Sequence, residues 1–257
     1  MNYKMLFKTA MLAGEIMAES GAETFRVEDT MTRILRTSDL QVVEVYATMT
    51  GVIATLSDPK IEPISEVLRI NRRTNNLNRI NEVNQISRNI CDGVITIEEA
   101  YDLLKQAGSR ITYKRSVIAA ATVISTGGFA GLFGGSLSDC CLAAMNGLII
   151  VVIGRLLENR IGSSFMIDAA KSFSIAAFTM LCTIILKNAN SEIIIIGSIM
   201  PLVPGIPITN AIRDTLQGDY MSGTARTVEA FVISAGIAIG IGFGVGLYNL
   251  LEGMVLR

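Results

Sequence analysis

The sequence predicts a membrane protein in two parts. A cytosolic α/β domain covers residues 1–114, and an all-α bundle of five transmembrane helices, the fourth broken by proline and glycine, covers 115–257. Three observations predict this. Charge is unevenly divided: residues 1–115 carry 15 basic and 15 acidic side chains, whereas 116–257 carry only 7 and 8. The charge-poor part contains five uncharged runs, and a bilayer core of ~30 Å asks for ~20 apolar residues of helix. Lysine and arginine also alternate between the connections, the pattern that sets topology.

In the charged part, residues 4–19 and 22–37 read as two helices separated at Ser20-Gly21. Val27, Met31, Ile34 and Leu35 share one face of the second helix. Asp29 and Arg33 have the spacing of an i,i+4 ion pair. "LQVVEVYATMTGVIATL" reads as two strands broken near Gly51. A turn at Asp58-Pro59 leads to a third strand in "PISEVLRIN", with Ile64, Glu66, Leu68 and Ile70 on one side. Leu77, Ile80, Val83 and Ile90 mark a helix over 74–91. Thr96 and Glu99 form a capping box that opens a last helix, closed at Gly108.

The uncharged runs are 116–138, 140–154, 172–186, 193–212 and 230–251. They set spans at about 116–136, 138–157, 170–187, 192–207 and 229–251. The second and third are short, so the flanking Arg155, Lys171 and Lys187 would snorkel to the interface. Arg110, Lys114 and Arg115 precede the first span, and the first connection has no basic residue. Arg155, Arg160 and Lys171 lie in the second connection, Lys187 in the third, Arg213 and Arg226 in the fourth. This places the N-terminal part in the cytoplasm and, with five crossings, the C-terminus outside. Gly127, Gly131 and Gly135, and again Gly236, Gly240 and Gly244 with Gly242 and Gly246, have the spacing that lets helix backbones approach.

The fourth run, "IIIIGSIMPLVPGIPITNAIRD", interrupts itself. From Ile193 to Val203 is ~16 Å of helix, about half a bilayer core. Pro201, Pro204 and Pro207 each lack an N–H and crowd the preceding turn. Irregular backbone at that depth requires protein or a water-filled cavity around it, and broken helices of this kind form transporter binding sites. The expected site runs from Pro204 and Gly205 into a helix starting at Pro207–Thr209. The N–H groups of that helix would attract a carboxylate, with Thr209 and Asn210 in its first turn and Arg213 and Asp214 about a turn deeper. Arg213 would pair with a substrate carboxylate, or lock against Asp214, Asp219 or Glu229 when the site is empty. The plainer reading is that "PGIP" ends an ordinary span and that a cytoplasmic loop follows. Ser222, Gly223, Arg226 and Glu229 enter the last span as candidate cavity-lining or gating residues. Asp139 reads as a loop acid or a gating group, and Asp168 with Lys171 as an interfacial ion pair or a titrating group. Glu23, Arg26, Glu28 and Asp29 cluster in "SGAETFRVEDTM", as a solvated helix face or a cytosolic gate.

Near-neutral charge argues against nucleic acid. Cys91, Cys140, Cys141 and Cys182 lack C-x-x-C spacing, and the chain has no histidine, which argues against a zinc site. Neither a metal nor a cofactor is expected. No nucleophile elbow, P-loop, dinucleotide fingerprint or zincin motif is present, so the chain reads as a transporter and not an enzyme. The rival is a membrane-anchored hydrolase or ligand sensor acting through residues 1–114. The N-terminus meets Glu15 and Glu19 too soon for a signal-peptide core and reads as an amphipathic helix.

"SGAETFRVEDTM", the "GG" before Asp139 and "PLVPGIPITNAIRDTLQGDYMSGTARTVEA" together resemble the threonine/serine exporter family. The likeness extends over essentially the whole chain. It implies export of small metabolites from the cytoplasm across a bacterial inner membrane. Threonine and serine are the substrates of fused members, and dicarboxylates such as succinate are associated with the split type. The chain resembles the large subunit of that split form, which implies a small, separately encoded multispanning partner and a hetero-oligomer.

Overall fold

The computed structural model describes residues 2–110, 113–158, 160–186 and 188–255, with side chains to residue 250. Lys187, the expected cation of the third connection and end of the third span, lies outside the described residues. The chain divides into two compact units, residues 1–112 with 206–227, and 113–205 with 228–257.

The first unit begins with helix α1 (Tyr3–Glu19), whose Asn2 side chain accepts the Met5 N–H. Helix α2 (Thr24–Arg36) follows after Gly21, which has a φ of +81°. A Cβ there would lie 2.8 Å from Asn75 Oδ1 and 3.0 Å from the Thr74 carbonyl, so the turn admits only glycine. Gly14 lets α1 close onto Met31 of α2. Strands β1 (Val42–Thr48), β2 (Gly51–Asp58) and β3 (Ile61–Arg69) form an antiparallel meander in that order. Val45 faces Ala54 and Val52 faces Leu68. Period-two burial puts Val52, Ala54 and Leu56 into the core, where they meet Leu6, Met17, Ile34 and Leu35. Pro63 sits in β3, an edge strand that tolerates the missing N–H.

Helix α3 (Leu77–Cys91) starts at Asn76, whose side chain accepts the Arg79 N–H. Helix α4 (Ile97–Ser109) opens with the expected capping box. The Glu99 N–H reaches Thr96 Oγ1 at 3.2 Å, and the Thr96 N–H reaches Glu99 Oε2 at 2.9 Å. Gly108 does not close this helix. It lies inside it, where a Cβ would stand 3.3 Å from Ile16 Cδ1, so helix packing is its role.

The second unit holds α5 (Arg115–Leu132), α6 (Leu137–Leu157), α7 (Ser164–Ile185) and α8 (Ser191–Ile199). A 3₁₀ turn, Met200–Leu202, follows α8. Helix α9 is Gly205–Leu216 and α10 is Tyr220–Val255, of which the residues from 228 belong to this unit. Among the described residues α5, α6, α7 and α10 are each long and apolar enough to cross a membrane. The count is five if the bent pair Ser191–Leu202 and Gly205–Leu216 forms one span.

The bounds differ from expectation where polar residues remain helical. Helix α7 starts six residues before 170, and α10 starts nine before 229. The first span stops at Leu132, so Gly135 lies in the turn and not on the helix. The fourth and fifth segments are joined by residues 217–219 alone. Arg213 and Arg226 are therefore helical residues, not loop residues.

Glycine packs the second unit, as its spacing predicts. A Cβ at Gly240 would strike the Ala169 carbonyl, and one at Gly244 would lie 2.6 Å from Ala176 Cβ, so α10 and α7 touch backbone to backbone. Gly242 and Gly246 face open space. A Cβ at Gly197 of α8 would lie 2.6 Å from Ala130 N of α5.

Candidate functional site

The helix after the proline break begins at Gly205, earlier than expected. A helix can start there because Val203 is extended at ψ 129° and Pro204 precedes the first turn. Thr209 and Asn210 are therefore its fifth and sixth residues, beyond the first turn. Thr209 is exposed, and buried Asn210 donates Nδ2–H to the Gly21 carbonyl at 2.9 Å. Pro204 is buried and Gly205 exposed.

Asp214 lies one turn beyond Asn210 and is fully buried. Both of its oxygens are used. Oδ1 accepts the Thr24 N–H at 3.1 Å, and Oδ2 accepts the Thr24 hydroxyl at 3.2 Å and Arg226 Nε–H at 2.8 Å. Thr24 is the first residue of α2, whose N-cap Glu23 gives no side-chain cap. Asp214 thus caps α2 from α9, placing a carboxylate where free N–H groups and the helix dipole favour negative charge. The anion-attracting helix end of this region belongs to α2, and the protein itself fills it. Arg226, also buried, donates a second hydrogen bond from Nη2 to the Ala22 carbonyl at 2.7 Å.

Arg213 does not lock against Asp214, whose oxygens are committed to Thr24 and Arg226. Its guanidinium pairs with Glu23 Oε1. Arg26 reaches Glu23 Oε2 at 3.4 Å. Arg213 keeps 59% and Arg26 48% of the side chain exposed while Glu23 keeps 10%, so the cluster presents two accessible cations over a buried carboxylate. Burial raises the Glu23 carboxyl. The hydrogen bond from Arg213, one from its own backbone and the charges of Arg26 and Arg213 outweigh that, and hold it below the ordinary 4.5.

Glu28 accepts the Ala47 N–H at 2.8 Å and ties α2 to β1. Its burial raises its carboxyl, opposed by that hydrogen bond and reinforced by Asp219 and Asp214. Asp29 and Arg33 form the expected exposed pair at 2.9 Å. "SGAETFRVEDTM" therefore does two jobs: Glu23 and Thr24 enter the buried cluster, whereas Asp29 is a solvated face.

Glycine makes the α9–α10 hairpin possible. Gly218, at φ +92°, turns the chain, and a Cβ at Gly223 would strike Thr215 of α9. Ser222 is buried beside Gly223. Glu229 follows Arg226 by about a turn on α10 and belongs to the second unit.

Asp139 and Asp168 lie wholly within that second unit. Asp139 is not a loop acid. It is the first-turn partner of Ser136 in a capping box, and its Oδ1 accepts the Asn190 N–H at 2.9 Å. It joins the starts of α6 and α8. Asp168 pairs with Lys171 at 3.7 Å.

Sequence reasoning misses a second polar cluster. Asn146 of α6 is fully buried and donates Nδ2–H to Thr179 Oγ1 of α7 at 2.9 Å and to Ser198 Oγ of α8 at 3.0 Å. The one available signal is a lone amide inside the uncharged run 140–154.

A family model described as "Putative threonine/serine exporter" matches residues 8–248. A "Probable threonine/serine exporter" of Mycobacterium tuberculosis is 26% identical over 240 residues. That match covers 93% of this chain but 45% of the relative, so the chain spans about half the length of the protein it matches. No solved structure matches the chain. The family is one of exporters and not of enzymes, consistent with the four or five helices able to cross a membrane among the described residues. With nearly its whole length matched, the chain belongs to the threonine/serine exporter family.

Proposed function

We propose that the chain is one subunit of a secondary-type transporter that exports small carboxylate-bearing metabolites by alternating access. Threonine and serine are the first candidates, and a dicarboxylate such as succinate the second. It resides in the bacterial inner membrane with its N-terminal domain in the cytoplasm. A small, separately encoded multispanning subunit completes it.

One observation carries the mechanism: the cluster that joins residues 21–26 to Asn210, Arg213, Asp214 and Arg226. It acts as a gate in two tiers. Asp214, Thr24 and Arg226 form the buried fixed tier, because three hydrogen bonds engage both oxygens of the carboxylate. Arg213 and Glu23 form the movable tier. A substrate carboxylate competes with Glu23 for the exposed guanidinium, and its arrival releases the lock. The substrate thereby supplies the differential interaction a two-state gate requires.

Radiolabelled threonine, serine and succinate efflux from cells expressing the chain and its partner tests this. Arg213→Ala should abolish efflux while leaving the protein folded, because the Arg213 side chain is largely exposed and Arg26 still faces the Glu23 carboxylate. Exchanging the pair, Glu23→Arg with Arg213→Glu, should restore a closed gate but not substrate recognition. Undiminished efflux in Arg213→Ala would sink the gate.

A further inference from the structure

A separate cavity of about 500 Å³ lies wholly within the second unit, where the start of α5, the end of α6 and the first turns of α7 meet. We propose that it is a binding pocket for a small zwitterion, with a cationic wall for a carboxylate and Glu158 for an ammonium group. The identity of the ligand rests on the exporter reading. The pocket's residues are distinct from those of the gate.

Four of the ten lining residues are charged. Arg115, Arg155 and Lys171 contribute three cations from three different helices, and Glu158 contributes one carboxylate. Lys171 is the eighth residue of α7, about 10 Å along the helix from its start at 1.5 Å per residue. Its side chain is only 14% exposed, so the ammonium does not simply snorkel into water. Its distance of 3.7 Å to Asp168 Oδ1 exceeds a hydrogen bond of about 2.7–3.2 Å, which leaves donor capacity for a ligand. Gly154 is what lets it reach the cavity. A Cβ at that position would lie 3.2 Å from Lys171 Cε and 3.4 Å from Glu158 Oε1, so the ammonium stem and the carboxylate straddle a missing side chain.

Two further features fit the same ligand. The N-cap of α5 is Lys114, which makes no side-chain capping bond, so the positive end of that helix faces the Arg115 side uncapped by it. Deeper in, Thr122 Oγ1 donates to the Ile118 carbonyl at 2.9 Å, which leaves its oxygen free to accept from a ligand hydroxyl or ammonium. The volume falls within the range of small-molecule sites, about 300–1,000 Å³. Glu158 decides between ligand classes. It attracts the ammonium of an amino acid and repels the second carboxylate of a dicarboxylate.

Calorimetry on the purified full chain in detergent, with L-threonine and succinate as probes, tests the pocket. Lys171→Gln and Arg155→Gln should each weaken threonine binding about tenfold or more, the scale expected for a lost charge-assisted hydrogen bond. Lys171→Arg should retain it, and Glu158→Gln should shift preference toward succinate. Arg213→Gln should leave this binding intact. Binding of neither probe, or binding unmoved by the pocket variants, overturns the proposal. So does native mass spectrometry that finds phosphatidylglycerol retained by the wild type and lost in Lys171→Gln, which would make the pocket a lipid site. The exporter reading is judged apart, by efflux from cells with and without the chain. Absent efflux with pocket-dependent binding removes the reading and keeps the pocket, and the reverse result does the opposite.

Discussion

Each unit buries a polar cluster where helices meet: in the first it is built on a pair of opposite ions, whereas the one that links α6, α7 and α8 of the second is built on neutral groups. In the first, Asp214 and Arg226 are paired ions held by Thr24 and the Ala22 carbonyl. In the second, Asn146 bridges two hydroxyls, Thr179 and Ser198, with no ion among them. The difference follows from the alternatives available to each group. A buried ion without its partner costs several kcal/mol, so a charged cluster holds together as a unit or fails as a unit. A buried amide in an apolar span forfeits little when broken, because other partners are found within the membrane. Charge thus makes the Asp214–Arg226 cluster all-or-none, and neutral polarity makes the Asn146 cluster tolerant of losing a partner.

The largest expected effect tests the charged side. Asp214→Asn leaves Arg226 buried without its anion and removes the charge that caps α2. The cost should be about 3–5 kcal/mol, read as a fall in thermal midpoint and faster hydrogen exchange in α2. Arg226→Met with Asp214→Leu, which removes both charges, should recover much of it. If the single variant costs no more than a surface change, the cluster is not a unit.

The next effect asks whether the second unit is held by backbone approach and not by polarity. Gly240→Ala places a methyl against the Ala169 carbonyl, with Phe173 N at 2.9 Å. Overpacking there should cost about 1–3 kcal/mol. Gly242→Ala meets nothing within 4 Å and should be neutral or slightly stabilising. Equal effects at both positions would remove the distinction between the two glycine faces of α10.

The same contrast explains what is legible in the sequence. The strands, the Thr96–Glu99 box and the glycine stripes follow local rules, and they appear within a residue or two of expectation. The partner of Arg213 is not legible, because Glu23 is 190 residues away and pairing at that range is decided by tertiary packing. Asp214, Asp219 and Glu229 suggest themselves as partners only because they are neighbours in sequence. Asp139 passes for a loop acid because Ser136 and Asp139 cap a helix with an Asp in the place where Glu or Gln is the usual signal. The start of α9 escapes because Pro207 fits the third position of a helix as well as a boundary.

A smaller effect probes the neutral side. Asn146→Ala should cost about 1 kcal/mol, the scale of interhelical hydrogen bonds in membrane proteins. Asn146 Oδ1 has no partner among the described residues, so the amide contributes through its two donated bonds alone. A loss as large as that of Asp214→Asn would break the comparison, since the second unit would then also depend on a single polar group.

The smallest net effect is the pH dependence of the first unit, because Glu23 and Glu28 act in opposite directions. Glu23 lies below its ordinary value of 4.5 in the folded state, since burial, which raises it, is outweighed by its arginine partners and its own backbone hydrogen bond. Its contribution is present above 4.5 and is lost as pH falls through the folded value. Glu28 lies above 4.5, since burial and the charges of Asp219 and Asp214 outweigh the Ala47 hydrogen bond. Its contribution is complete below 4.5 and is lost as pH rises through the folded value. Melting curves of the two glutamine variants separate them. Glu23→Gln should destabilise at neutral pH, with the deficit vanishing in acid as the wild-type carboxyl protonates. Glu28→Gln should stabilise at neutral pH, because the amide oxygen still accepts the Ala47 N–H without the charge, and that gain too should vanish in acid. Two deficits of the same sign would mean that Glu28 is held as an ion by a partner of its own, and the first unit would then contain a charge pair beyond those of Glu23 and Asp214.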